Sequence, residues 1–157
     1  MKNMNMSKIV RTAANVLFPF ILIYGFYIVL HGHLTPGGGF QGGAVIATGF
    51  VLLLVAYSYE SITERLPMNY FKNGETLGLL LFIITALTAL TLGATFFGNW
   101  LVNSGGLFGD VVAYGPNPGN LNTAGVIPIM NLAVGIEVLG AMSVILLYML
   151  SGIKEDI

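Results

Sequence analysis

Glu137 is the one ionisable residue in the apolar run NLAVGIEVLGAMSVILL, residues 131–147. A carboxylate placed there has two chemical uses. It can exchange a proton or a small cation, or it can hold helices together as a hydrogen-bonded acid. If the run is helical, Ala133, Gly140 and Ala141 share its face at i−4, i+3 and i+4. Small residues around an acid predict a face packed closely on other helices rather than one turned to lipid. His31 and His33 are the other groups able to exchange protons near neutral pH. Two imidazoles two residues apart diverge on a helix, and the chain has no further His and no Cys to complete a coordination set. No metal site, cofactor site or catalytic residue is therefore assigned, and Glu137, His31 and His33 stand as candidates for an ion or proton path.

The histidines open the stretch HGHLTPGGGFQGG, residues 31–43. Gly37, Gly39 and Gly42 fit G-x-G-x-x-G, but a dinucleotide fingerprint needs a preceding buried strand and an acidic residue about 20 positions on. Here an apolar helix precedes it, Glu60 lies beyond the next apolar run, and no P-loop lysine follows. A different spacing fits better. Gly38 and Gly42, and Gly39 with Gly43 and Ala47, stand four apart, giving small faces that admit a second helix backbone. These rows are expected to fasten the chain to its neighbours.

The elements that must position these residues are membrane helices. Of 157 residues, 55% are apolar and 8% charged, and mean hydropathy is +0.83, where a soluble domain carries about 25% charge. A net charge of −1 with no basic cluster excludes a nucleic-acid partner. The absence of cysteine excludes disulfides, thiolate metal sites and cysteine nucleophiles. Four runs reach the roughly 17 to 25 residues a bilayer core requires: about 9–30, 41–59, 76–98 and 124–150. They predict an all-α membrane protein of one domain, 1–157, with four transmembrane helices.

Between the runs, 60–75 reads as a short charged turn around Pro67, and 99–123 as a loop on the opposite side. If the spans alternate, Lys2, Lys8, Arg11, Arg65, Lys72 and Lys154 all fall on one side. The positive-inside rule then puts both termini in the cytoplasm and the chain in the cytoplasmic membrane. Arg11 reads as an interfacial anchor reaching for the headgroups, and Pro19 as a kink in the first span. In the third, the hydroxyls of Thr85, Thr88, Thr91 and Thr95 are expected to bond their own backbone. The loop GNWLVNSGGLFGDVVAYGPNPGNLNT holds Trp100, Phe108 and Tyr114 but only one charge, Asp110; burial against another polypeptide is expected.

HGHLTPGGGFQGGAVIATGF together with the late GPNPGNLNTAGVIPIMNLAVGIEV segment resembles the B subunit of Mrp-type multisubunit cation/proton antiporters, the MnhB family. Similar subunits occur in the antiporter-like membrane arms of membrane-bound hydrogenases and related respiratory complexes. The resemblance covers nearly the whole chain. It implies a small, cofactor-free membrane subunit of an assembly that exchanges Na+ for H+, with other membrane subunits and the bilayer as partners. His31, His33, Pro36, Gly37, Gly38, Gly39, Phe40, Gln41, Gly42 and Gly43 carry over as the family's signature. In that family the large antiporter-like subunits carry the principal path residues, so the resemblance transfers no catalytic residue, and Glu137 stands on its own chemistry. The expected role is a transport subunit contributing to cation/proton translocation and assembly, not an enzyme on its own; the alternative is a scaffold without ion contact.

Overall fold

The computed structural model describes residues 6–112 and 119–155, the last four as helical backbone alone. Lys2 and Tyr114 lie outside the described residues. Among the described residues five helices follow one another: α1 (Lys8–Leu30), α2 (Gly39–Ala56), α3 (Tyr59–Arg65), α4 (Met68–Thr91) and α5 (Ile127–Glu155). No strand occurs among the described residues. All but the short α3 are long and apolar enough to cross a membrane.

Local chemistry sets the boundaries. The Ser7 hydroxyl caps α1 by accepting from the Val10 N–H. Gly37 and Gly38 enter α2 at φ 141° and 149°, values that a side chain would strain. Pro67, with φ −58°, ends α3 and starts α4. Thus the region expected as a charged turn at 60–75 is mostly helical. Its charge argues against a span, yet α3 buries Ile62, and α4 begins eight residues before the expected position 76. The opposite error occurs at its other end. α4 stops at Thr91, because Gly93 takes φ 78° and turns the chain away, so apolar residues 92–98 belong to the loop. α2 closes at Ala56, where Tyr57 turns extended. Ala124 and Gly125 hold φ 73° and 66°, which delays α5 to Ile127, with Pro128 fitted into its first turn.

The long helices form a row, α1 beside α2, α2 beside α5 and α5 beside α4, with a lighter contact of α1 on α5. One end of the row, the terminal end, holds the start of α1 and all of α3; the other, the loop end, holds residues 31–38, 92–112 and 119–126. A side-chain core of Phe50, Leu54, Ile62 and Leu147 joins α2, α3 and α5 at the terminal end, with Phe71 of α4 against it. The Phe50 and Phe71 ring centroids are 4.6 Å apart. Outward, α1 displays Ile9, Phe20 and Ile23 at 81%, 65% and 67% exposure. A contiguous apolar face of this kind marks lipid or a covering protein.

Candidate functional site

The α4–α5 contact is built from glycine. A methyl group at Gly78 of α4 would stand 2.6 Å from the Ala133 carbonyl oxygen and 2.6 Å from the Glu137 nitrogen of α5. One at Gly140 of α5 would stand 2.6 Å from the Glu75 nitrogen and from the Phe71 carbonyl oxygen. The helices run antiparallel, so each glycine receives the backbone of a glutamate on the other. Glu137 and Glu75 consequently flank one crossing, about one turn apart. Both are half-buried. Neither closes a hydrogen bond or an ion pair among the described residues, and neither leaves oxygens sealed in the interior. They remain open at the edge of the bundle.

Glu75 is not among the sequence candidates. Its charge places it in the turn before the third span, and the signal that points elsewhere is Gly78, three residues on and on the same helix face, where α4 packs on α5. The small residues around Glu137 do meet another helix: Ala133 is fully buried and its carbonyl faces Gly78. The threonine stripe is consumed by its own backbone, with Thr85 and Thr88 donating to Leu81 and Ile84 at 2.7 Å and Thr91 to Thr88 at 2.8 Å. Thr95 lies past the helix end.

The glycine signature divides its labour within the chain. A side chain at Gly39 would strike the Asn131 carbonyl, and one at Gly43 would stand 2.6 Å from the Gly135 carbonyl, both on α5. A side chain at Gly42 would meet Val29 and the Gly25 carbonyl, on α1. These rows therefore join α2 to the chain's own α5 and α1, which corrects the expectation that they fasten it to neighbouring chains. The two glycine faces, about 100° apart around the helix, let α2 hold α1 and α5 side by side. Pro36, Phe40 and Gln41 of the same stretch are exposed.

The histidines sit at the loop end, apart from Glu137 in the hydrogen-bond network. His31 stacks on Tyr27 with ring centroids 4.1 Å apart, and its Nδ1 lies 3.2 Å from the Tyr27 carbonyl oxygen. His33 is half-buried, and neither ring nitrogen closes a hydrogen bond of good geometry. Burial pushes its pKa below the ordinary 6.5; the nearby Leu121 backbone pulls it partly back, and His31 lowers it further. Asn131, whose Nδ2 is also buried without a partner, lies between Gly32 and Gly38. It occupies the α2 side of α5, whereas Glu137 occupies the α4 side.

Over this end the loop is ordered by amides in place of charges. Asn99 donates to the Ala124 carbonyl at 2.9 Å and accepts from the Val126 N–H at 2.9 Å. Asn120 donates to Asp110 at 2.9 Å, and the Asp110 N–H donates to the Asn122 carbonyl at 2.9 Å. Leu107 and Val111 are left 67% and 73% exposed.

The chain matches the model of a family described as a domain related to the MnhB subunit of Na+/H+ antiporter, over residues 9–144. An uncharacterized protein of Methanocaldococcus jannaschii is 36% identical over 120 residues, 76% of this chain and 43% of that protein. The B subunit of the Na+/H+ antiporter of Bacillus subtilis is 39% identical over 88 residues, 56% of this chain and 61% of that one. Among solved structures, a chain of the membrane-bound sulfane sulfur reductase, an archaeal respiratory membrane complex, superposes with TM-score 0.72 at 39% identity. That match covers 95% of this chain and 62% of the other. This chain thus spans 43% to 62% of the length of these relatives.

Proposed function

Because the chain belongs to the family of domains related to the MnhB subunit of Na+/H+ antiporters, we propose that it is a small subunit of a multisubunit cation/proton antiporter module in the cytoplasmic membrane. It contributes Glu137 to the route of the exchanged Na+ or H+. The module belongs to a larger membrane assembly, driven by redox chemistry if its parent is of the respiratory type. Both termini and α3 face the cytoplasm. That orientation is supported by Lys8, Arg11, Arg65 and Lys72 at the terminal end, with no lysine or arginine at the loop end.

The observation that carries the ion role is the Glu137 carboxylate, well inside α5 and half-buried, without a partner among the described residues. A lone carboxylate at bilayer depth costs about 2.5 kcal/mol or more, so it takes a proton, a cation or a donor from a neighbouring subunit. Alternating between the first two is the elementary step of exchange. Glu75, on the facing helix, offers a second carboxylate about one turn away. His31 and His33 stand where protons would be exchanged at the outer surface, and the Na+ and H+ are cargo of the assembly.

The scaffold reading has one specific support, since the Glu137 backbone is itself the surface on which Gly78 packs. Glu137→Gln in the assembled complex separates the two. Retained assembly with Na+/H+ exchange reduced at least about tenfold supports the ion role; loss of assembly supports the scaffold; unchanged exchange and yield refutes both.

A further inference from the structure

At the terminal end, a chamber of about 470 Å3 opens between α1, the end of α2 and α3, lined by Arg11, Asn15, Tyr57, Ser61 and Arg65 among others. No carboxylate among the described residues lines it. Neither arginine makes an ion pair or hydrogen bond among the described residues, and the Nε of Arg11 is buried without a partner. The Tyr57 hydroxyl donates to Asn15 Oδ1 at 2.8 Å, which braces α1 against the end of α2. Two unpaired guanidinium groups beside the neutral polar groups of Asn15, Tyr57 and Ser61 form a receptor for an anion with several oxygens.

A second cavity adjoins the chamber. Phe18 and Leu66 line the chamber and also line this cleft of about 300 Å3, otherwise walled by residues such as Leu22, Ile46, Phe50 and Ile136. That cleft is apolar and lies between α1 and α4, which both dock on the central α2–α5 pair. From Arg11 to Leu22 the chain rises about 16 Å at 1.5 Å per residue. This is roughly half of a ~30 Å hydrocarbon core, the depth of one leaflet.

We propose that these joined cavities are a binding site for one anionic phospholipid of the cytoplasmic leaflet. Arg11 and Arg65 hold the headgroup phosphate, and an acyl chain lies in the Phe18–Ile46–Phe50 cleft. The lipid fills the gap that the row arrangement leaves between α1 and α4. Basic pockets between membrane helices on the cytoplasmic side take such headgroups. The proposal rests on the membrane orientation proposed above, with the terminal end cytoplasmic, and it is independent of any ion contact at Glu137.

The test is native mass spectrometry of the intact complex, exchanged into detergent holding equal phosphatidylglycerol and phosphatidylcholine of matched acyl chains. The wild type is expected to retain one phosphatidylglycerol per copy of this chain beyond the Arg11→Gln, Arg65→Gln double variant. Affinity in that variant should fall roughly twenty-five-fold, about fivefold for each arginine. Leu22→Trp, which fills the cleft and leaves both arginines, should lose the lipid as well, a result that also serves if the double variant fails to assemble. Equal retention by wild type and variants, or equal retention of phosphatidylcholine, overturns the proposal. So does displacement of the lipid from the wild type by millimolar inorganic phosphate, which would mark a free-anion site. A cross-link from position 11 to a neighbouring subunit's carboxylate, with no retained lipid, would overturn it in favour of a protein partner.

Discussion

At the level of single residues, the titrating groups are held in contrasting ways. Glu137 and Glu75 meet the facing helix through their backbones and leave their carboxylates without partners among the described residues. His33 has its ring half-buried in the loop end and its pKa lowered, chiefly by burial. A histidine with a depressed folded-state pKa destabilises the fold as the solution acidifies, because the unfolded chain takes up the proton first. Stability is then complete above about pH 6.5 and declines as the pH falls below it, levelling off only beneath the folded pKa. Thermal denaturation of the detergent-solubilised protein at several pH values should therefore record a falling midpoint from pH about 6.5 to 5. His33→Gln should flatten that decline, and parallel curves would remove His33 as its cause.

Between elements, the contacts are decided by which glycine faces which backbone. In lipid there is no hydrophobic drive between helices, so close van der Waals approach carries the packing. Gly74 and Gly78 stand one turn apart in α4, yet they are unequal. A methyl at Gly74 would have its nearest neighbour 4.0 Å away, at Ile136, whereas one at Gly78 would press on α5 backbone at 2.6 Å. Gly74→Ala should be tolerated and should gain up to about 0.5–1 kcal/mol from helix propensity. Gly78→Ala should cost about 1–3 kcal/mol through a shift of α4 against α5. Denaturation of the two variants in the same detergent measures the difference, and equal stability would mean that the crossing yields more easily than its geometry implies.

For the molecule as a whole, the row α1–α2–α5–α4 leaves both outer helices with wide apolar faces. It also leaves, at one end, a hydrogen-bonded loop whose one charged residue is Asp110 and, at the other, a basic face. Such a unit suits insertion between lipid and larger subunits, with the loop end covered. The chain has no cysteine, so introduced ones report cleanly. Expressed without its partners in intact cells, Val111→Cys should react with a membrane-impermeant maleimide, and Glu64→Cys only after permeabilisation. In the assembled complex, labelling at position 111 should fall. Reversed accessibility would overturn the orientation, and unchanged labelling in the complex would refute coverage of the loop.

Composition and hydrophobic run length are enough to determine four membrane-crossing helices, since a run of apolar residues is a property of the chain itself. The motif from His31 to Gly43 and the late segment through Glu137 likewise carry the family. Helix ends are less legible, because Lys72 and Glu75 have the character of turn residues until α4 encloses them, and because Gly93 ends a helix by its dihedral angle rather than by polarity. What faces what is decided by the tertiary structure alone. A small-residue row admits any close backbone, and nothing in the order Gly39, Gly42, Gly43 says that the occupants are α5 and α1 of the same chain. For the same reason Glu75 joins Glu137, and Arg11 joins Arg65, only after the antiparallel docking of α4 and the folding back of α3 bring distant positions together.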